Sequence, residues 1–94
     1  MICVYILKSL KDNKKYIGST IDLKKRLSEH QKGLVKSTKY RRPFILIGYQ
    51  VCKKIEEAGY LEKKYKSSHN SYERAVKLGL VKILNHQTGI GAVG

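Results

Sequence analysis

The sequence predicts a small α+β domain. Segments rich in Val, Ile and Tyr, each bounded by polar or turn residues, are typical of β-strands and cover residues 2–8, 15–19 and 44–52. Two further segments repeat apolar residues at helical spacing, and a third begins with a helix-capping pattern; these are residues 23–30, 54–67 and 71–78.

The length of the chain limits it to one domain. Its 94 residues are enough for one modest core and too few for two. We expect the domain to cover residues 1–87. Residues 88–94 contain three glycines and are expected to form a loose tail or the start of a linker.

The first two strand segments predict a β-hairpin. Residues 2–8 are mostly apolar, which indicates a strand buried on both faces, and residues 11–14 carry Asp and Asn, which favour tight turns. Directly paired residues of a hairpin share a face. An even-numbered loop would therefore place Tyr5 and Tyr16 on the same face, whereas an odd loop or a bulge would separate them. We expect the shared face.

A basic helix follows the hairpin. Leu23, Leu27 and His30 repeat at helical spacing. Arg26 lies one turn from both Leu23 and His30, so it is expected to border the core-facing stripe.

Small and polar residues mark the expected element ends. Gly18 is expected where the strand turns toward the helix and leaves room for a close backbone or phosphate. Thr20 is the expected N-cap, with Asp22 in the first turn. Asn70 and Glu73 resemble a capping box for the third helix. The expected helix stops are Gly33 and Gly79.

The second helix carries a carboxylate within its apolar stripe. Glu62 lies among the stripe residues, and Gly59 would allow close packing. A carboxylate at a core-facing position is costly unless it is paired or bound to a cation. Two interpretations stay open: a salt bridge, or a ligand of a hard divalent metal. The stripe consists of Ile55, Ala58, Leu61 and Tyr65.

The net charge of +13 points to a polyanionic partner. Twenty cationic residues face seven acidic ones, so DNA or RNA is favoured because phosphate contacts reward such a surface. No segment is a Trp- or Phe-anchored amphipathic helix, and no apolar run approaches 18 residues, which argues against membrane association. A merely soluble basic protein is the alternative.

The two cysteines predict a reducing environment. Cys3 and Cys52 lie in apolar strand-like segments without metal-ligand spacing. We expect buried, reduced thiols and an intracellular protein, cytoplasmic or nuclear.

Four further side chains have both a structural and a chemical interpretation. Tyr5 and Tyr16 are either core aromatics or hydroxyls that orient a water or a phosphate. Arg26 is either a solvated surface cation or a bidentate phosphate ligand. His30 is either a packed side chain or a group that transfers protons or contacts phosphate.

Together these residues resemble the GIY-YIG nuclease family, over roughly residues 2–86. The second tripeptide of the family name is present in full at residues 16–18, whereas Cys3 and Val4 replace the Gly and Ile of the first. The loop after the first helix lacks the histidine that some members carry there. This departure leaves open which residue acts as the general base. The positions that carry the resemblance are Tyr5, Tyr16, Arg26, His30, Glu62 and Asn85.

The resemblance implies a three-stranded antiparallel sheet flanked by about three helices, and a DNA endonuclease that hydrolyses a phosphodiester with one metal ion. Glu62 would hold Mg²⁺ or Mn²⁺, and Arg26 would neutralise charge on the phosphate. Tyr16, helped by His30, would activate or position the water. Tyr5 and Asn85 would support the site. A tyrosyl nucleophile stays open.

A basic loop is expected to bind the DNA backbone phosphates through four cations, with Tyr40 as a stacking contact. The four cations are Lys36, Lys39, Arg41 and Arg42. Because phosphate contacts carry little sequence information, we expect low intrinsic specificity, with an additional DNA-binding domain or partner protein supplying more. The alternatives are a catalytically silent nucleic-acid-binding module of the same fold and an RNA-associated basic protein.

Overall fold

The computed structural model describes residues 1–84 and contains a four-stranded antiparallel sheet with helices on both faces. In space the strands follow the order β2-β1-β3-β4. The strands are β1 (Cys3–Ser9), β2 (Lys15–Thr20), β3 (Phe44–Val51) and β4 (Lys82–Ile83). The helices are α1 (Leu23–Gln31), α2 (Ile55–Ser67) and α3 (His69–Lys77), with a 3-10 turn at Lys39–Arg41. The predicted α+β class is confirmed.

The fourth strand is a correction to the predicted three-stranded sheet. β4 is only two residues long and pairs with β3 through Gly48 and Tyr49. Val81 is buried beside it, so this segment packs back onto the domain. A strand this short has no periodic pattern, which is why the sequence did not reveal it.

The core has one half on each face of the sheet. On the first face, α1 covers a cluster that includes Tyr5, Leu7 and Leu23. On the second face, residues of α2 and α3 such as Tyr65 and Tyr72 pack against Val4 and Ile6. β1 is therefore buried on both faces, as its apolar run predicts.

The hairpin register confirms the shared face of the two tyrosines. Tyr5 pairs with Gly18 and Leu7 pairs with Tyr16, so both tyrosines point to the α1 face. Between the paired residues Lys8 and Lys15 lies an even-numbered connection. Asn13 has a φ of 61° in that connection, in accord with the expected tight turn.

The two predicted N-caps are wrong. Asp22 caps α1 by accepting a hydrogen bond from the Lys25 amide at 3.1 Å, while the Thr20 hydroxyl accepts from the Asp22 amide. Ser68 caps α3 by accepting from the Ser71 amide at 3.2 Å. In both cases a neighbouring polar residue supplies the oxygen that the N-terminal amides require.

The capping-box residues lie inside α3. Asn70 belongs to the first turn of the helix, and Glu73 pairs with His69 at 3.0 Å instead of reaching back to a cap amide. Gly59 also departs from expectation, because an added Cβ there would meet open space. Ile55 is exposed at the start of α2.

Gly33 ends α1 as predicted. It has a φ of +75°, and its amide donates to the His30 carbonyl at 3.1 Å while the Leu34 amide donates to the Glu29 carbonyl at 2.9 Å. This pair of hydrogen bonds is the Schellman arrangement, which favours glycine at the left-handed position. Gly79 has a φ of +77° after α3.

Two expectations lie outside the described residues: the role of Asn85 and the Gly-rich tail at residues 88–94. Within residues 1–84, no helix is long and apolar enough to cross a membrane.

Candidate active site

Tyr5, His30 and Thr38 form a buried hydrogen-bonded chain on the α1 face. The Tyr5 hydroxyl lies 2.8 Å from His30 Nε2, and Thr38 Oγ1 lies 2.8 Å from His30 Nδ1. The exposed fractions of these residues are 0%, 1% and 0%, so water cannot substitute for either contact. These hydrogen bonds join β1, α1 and the basic loop at one point.

The other contacts of Tyr5 and Thr38 favour one arrangement of the protons in this hydrogen-bonded group. The Thr38 hydroxyl donates to the Val35 carbonyl at 3.4 Å, and the Tyr5 oxygen accepts from Arg26 Nε at 3.4 Å. All groups are satisfied when His30 carries its proton on Nδ1 and Tyr5 donates to Nε2. The other tautomer would leave the Tyr5 proton without an acceptor among residues 1–84. A buried polar group without a partner costs about 1–3 kcal/mol.

Burial keeps His30 neutral. Desolvation lowers the pKa of His30 to about 4, and the nearby positive charge of Arg26 lowers it further than the carboxylate of Glu29 raises it. Burial also raises the pKa of Tyr5 to about 12 against the hydrogen bond from Arg26. Neither side chain reaches solvent, so neither can exchange a proton directly with bulk water.

Arg26 lies above the buried chain and faces solvent. Its Nη1 donates to Glu29 Oε1 at 3.1 Å and its Nε to Tyr5, while the side chain is 37% exposed. The hydrogen bond to Tyr5 raises the pKa of Arg26. Nη2 has no partner among residues 1–84, so the guanidinium is held on one side and open on the other. This geometry suits an anion such as a phosphate.

Position 18 requires a glycine because the Tyr5 side chain packs directly against it. A Cβ at Gly18 would lie 2.5 Å from the Tyr5 hydroxyl oxygen. The absence of a side chain at Gly18 therefore makes room for the Tyr5 ring. The sequence instead predicted that this space serves a nearby backbone or phosphate. The strand continues past Gly18 to Thr20.

Tyr16 is partly buried and contacts the same cluster through its ring. Its ring centroid lies 6.3 Å from that of Tyr5 and 5.1 Å from that of His30. Its hydroxyl forms no hydrogen bond with the described residues, so it is available to a ligand. Tyr16 also lines an open groove of about 360 Å³, whose rim includes Lys15, Lys66 and His69.

Glu62 lies at the other face of the same edge strand. Its Oε1 accepts from the Ser19 hydroxyl at 2.6 Å, and its Oε2 accepts from Lys66 Nζ at 2.7 Å. Ser19 alternates with Gly18 along β2, so Glu62 approaches from the α2 face. Lys66 Nζ also lies 5.7 Å from the Tyr16 ring centroid, which connects the two faces around the edge of the sheet.

The carboxylate of Glu62 is ionised at neutral pH. Burial raises its pKa, but the hydrogen bonds from Lys66 and Ser19 outweigh burial and hold the pKa below its ordinary value. Its side chain is 24% exposed and that of Lys66 is 48% exposed. Both the salt-bridge interpretation and access for a small cation are therefore compatible with this position.

The donor set near Glu62 is sparse. No group of three or more His, Cys, Asp or Glu residues comes together within residues 1–84. A single carboxylate such as Glu62 does not suit zinc, which takes about four protein ligands in structural sites and three in catalytic ones. It does suit Mg²⁺, which is often held by one or two carboxylates together with waters and substrate phosphate.

The basic loop contains two kinds of side chain. Lys36 and Lys39 are exposed, and Tyr40 is 75% exposed. Arg41 instead pairs with Asp12 at 2.9 Å, and Arg42 donates to the Lys39 and Gln31 carbonyls. The two arginines thus have intramolecular partners, whereas Lys36 has none within the described part of the chain. The Lys39 ammonium lies 5.1 Å from the centroid of the Tyr40 ring.

Both thiols are buried and free, as expected for a reducing environment. Burial raises the pKa of Cys3 to about 11, so this thiol is unreactive at neutral pH.

Comparisons with known proteins identify the family of this chain. A family model described as the GIY-YIG catalytic domain matches residues 1–75. The chain belongs to the GIY-YIG family. It is also 35% identical over 85 residues to UPF0213 proteins of Streptococcus pyogenes serotype M3 and serotype M1, covering 89% of this chain and 86% of each relative. No solved structure gives a significant match.

Membership of the GIY-YIG family places the chain among nuclease-type proteins, which implies a nucleic acid as substrate. Five of the residues that the resemblance selected lie within residues 1–84, and these five lie around β2: Tyr5, Tyr16, Arg26 and His30 on the α1 face and Glu62 on the α2 face.

Three further residues of this site escaped the sequence analysis. Thr38 lies in a loop where only the cations and Tyr40 drew attention, and Ser19 follows the tripeptide that carries Tyr16. Lys66 lies four residues after Glu62, which is the helical spacing of an ion pair and is the one signal that could have been found.

Proposed function

We propose that this chain is a divalent-metal-dependent DNA endonuclease with low intrinsic sequence specificity. The observation that supports this most strongly is the arrangement around β2. Three groups surround one edge strand: the Arg26 guanidinium, the Tyr16 hydroxyl and the ionised Glu62 carboxylate. Nη2 of Arg26 and the Tyr16 hydroxyl have no hydrogen-bond partner among residues 1–84. A phosphodiester on this edge would meet all three groups.

In this mechanism, Arg26 binds the scissile phosphate and neutralises the charge that develops during hydrolysis. The Tyr5 oxygen accepts a hydrogen bond from Nε of Arg26, and the Tyr5 hydroxyl donates one to His30. The guanidinium is therefore already oriented when substrate binds. The free hydroxyl of Tyr16 orients the attacking water. Its open groove, with Lys15 and Lys66 at the rim, provides a path for the adjoining backbone phosphates.

Glu62 would hold Mg²⁺ or Mn²⁺ in this mechanism. Ser19 fixes one carboxylate oxygen, while the exposed Lys66 side chain can leave the other. When bound, the cation supplies a Lewis acid and charge neutralisation at the phosphate. Since the described residues provide one carboxylate here, waters and phosphate oxygens would complete the ligand shell.

A plasmid-nicking assay tests the proposal. The purified protein is expected to nick or linearise supercoiled DNA with Mg²⁺ or Mn²⁺ and to stop when EDTA is added. Arg26→Ala should abolish cleavage, while the exposed neighbour Lys24→Ala should retain it. Cleavage that persists in EDTA would contradict the metal requirement.

The silent-module alternative predicts a different result. Wild-type protein would bind DNA in a gel-shift assay and leave plasmid intact at every metal concentration. Tyr16→Phe separates the roles of the tyrosine: a large loss of rate with unchanged DNA binding supports its hydroxyl chemistry, and a normal rate assigns Tyr16 to packing alone.

A further inference from the structure

We propose that Thr38 is a positioning residue that fixes the tautomer of His30 and, through Tyr5, the orientation of Arg26. Its kinetic consequence rests on the proposed nuclease function; its structural part does not. Thr38 lies in the loop between α1 and β3.

The first step is the contact between Thr38 and His30. Oγ1 of Thr38 lies 2.8 Å from Nδ1 in a fully buried position, and the same hydroxyl faces the Val35 carbonyl at 3.4 Å. A hydroxyl has one proton, so donating it to Val35 leaves its lone pairs for His30. Nδ1 is then the nitrogen that carries the proton.

The second step follows from the neutral imidazole. With Nδ1 protonated, Nε2 has only a lone pair and must accept from the Tyr5 hydroxyl at 2.8 Å. The Tyr5 proton points toward His30, and its oxygen lone pairs are free to accept from Arg26 Nε. The Arg26 Nε–H, the Tyr5 hydroxyl, the His30 Nδ1–H and the Thr38 hydroxyl then each have an acceptor.

The third step connects this order to the phosphate site. Arg26 is held by Tyr5 at Nε and by Glu29 at Nη1, which fixes the plane of the guanidinium and leaves Nη2 directed away from both. If His30 took the other tautomer, its Nε2–H would donate to the Tyr5 oxygen and compete with Arg26 there. The guanidinium would lose the fixed partner that pre-orients it.

The test begins with nitrogen NMR of histidine-labelled protein, because the two nitrogens of a neutral imidazole have separate shifts according to which one is protonated. The His30 signals are assigned by their absence in His30→Gln. We expect the wild type to show the Nδ1–H form at neutral pH. Thr38→Val keeps the side-chain volume but removes the acceptor of the Nδ1 proton. Because either tautomer then leaves one buried donor unpaired, this variant should raise the fraction of the Nε2–H form above that of the wild type.

Thr38→Ser is the matched rescue, since it restores the hydroxyl and should restore the Nδ1–H form. Ser37→Ala, a neighbouring hydroxyl in the same loop, should leave the tautomer unchanged. Comparable far-UV circular dichroism and thermal melting are recorded for each variant. If the valine variant folds poorly, the wild-type spectrum still decides which nitrogen of His30 carries the proton, and an Nε2–H wild type would overturn the inference.

In the cleavage assay, Thr38→Val should lower kcat at least about tenfold with little change in KM, because the oriented Arg26 guanidinium stabilises charge that develops in the transition state. Thr38→Ser should recover most of kcat. An Nε2–H tautomer in the wild type, or a tautomer fraction in Thr38→Val equal to that of the wild type, overturns the inference. A shifted tautomer with wild-type kcat overturns the positioning role. The tautomer measurement needs no substrate, so it decides the structural part even if the wild type cleaves no DNA.

Discussion

His30 makes the stability of this domain depend on pH in a window that few other groups share. Its pKa is about 4 in the folded protein, while the ordinary value is 6.5. Above pH 6.5 the imidazole is neutral in both the folded and the unfolded chain, so it contributes no pH dependence. As pH falls from 6.5 toward 4, the unfolded chain binds a proton that the folded chain does not accept. Stability must therefore decrease across this window.

The expected loss follows from the two pKa values. One unit of pKa difference corresponds to about 1.4 kcal/mol, and most of the difference is expressed by pH 4.5, so unfolding should become about 2 kcal/mol easier between pH 7 and pH 4.5. Because His30 is 1% exposed, solvent screening does not reduce this figure substantially. Carboxylates such as Asp12 and Glu62, whose pKa values are lowered, titrate mainly below this window.

Urea unfolding at a series of pH values from 7 to 4.5 measures this effect. The matched variant is His30→Gln, whose amide can accept from Tyr5 and donate to Thr38 but cannot take up a proton. The variant is expected to start from a lower stability and to lose little more as pH falls. If wild type and His30→Gln show the same slope, then His30 is not the buried neutral group described above.

Three further predictions concern the packing, the loop and the carboxylate. Gly18→Ala places a methyl group against the Tyr5 hydroxyl and should lower the free energy of unfolding by about 1–3 kcal/mol in urea denaturation; an unchanged value would show that Tyr5 moves freely. Lys36→Gln combined with Lys39→Gln should weaken DNA binding at all sequences and flatten its salt dependence by about one unit of slope per lost phosphate contact, whereas Arg41→Ala should chiefly lower the melting temperature because Arg41 is paired with Asp12. A salt slope altered only by Arg41→Ala would reverse that division of the loop. Ser19→Ala should raise the pKa of Glu62 in a carboxylate NMR titration, since it removes the hydroxyl hydrogen bond to that side chain; an unmoved titration would mean that the Ser19 hydroxyl does not stabilise the ionised carboxylate.

Local patterns were sufficient for the features that depend on neighbours in sequence. The alternation of side chains along a strand placed Tyr5 and Tyr16 on one face, and the register bears this out. The helical spacing placed Arg26 at the edge of the buried stripe and His30 within it, where the structure has them. Glu62 attracted attention because it interrupts an apolar stripe.

Features that depend on distant segments could not be obtained in this way. The contact of Thr38 with His30 joins a loop to a helix, and no periodic signal marks it. Arg41 looked like a phosphate ligand until its pairing with Asp12, 29 positions earlier, was visible. The N-cap predictions failed for a simpler reason. Several adjacent polar residues could each have supplied the oxygen that accepts from the first amides of the helix, and only the backbone path selects Asp22 and Ser68.

The central claim is that Glu62 makes the arrangement around β2 a metal-dependent nuclease site. Its most direct test is plasmid nicking against Mg²⁺ concentration for the wild type, Glu62→Gln and the control Glu56→Gln, which alters an exposed carboxylate on the same helix. Saturable Mg²⁺-dependent nicking is expected from the wild type and from Glu56→Gln, and none from folded Glu62→Gln. Nicking by Glu62→Gln at the wild-type rate and Mg²⁺ dependence would contradict the claim.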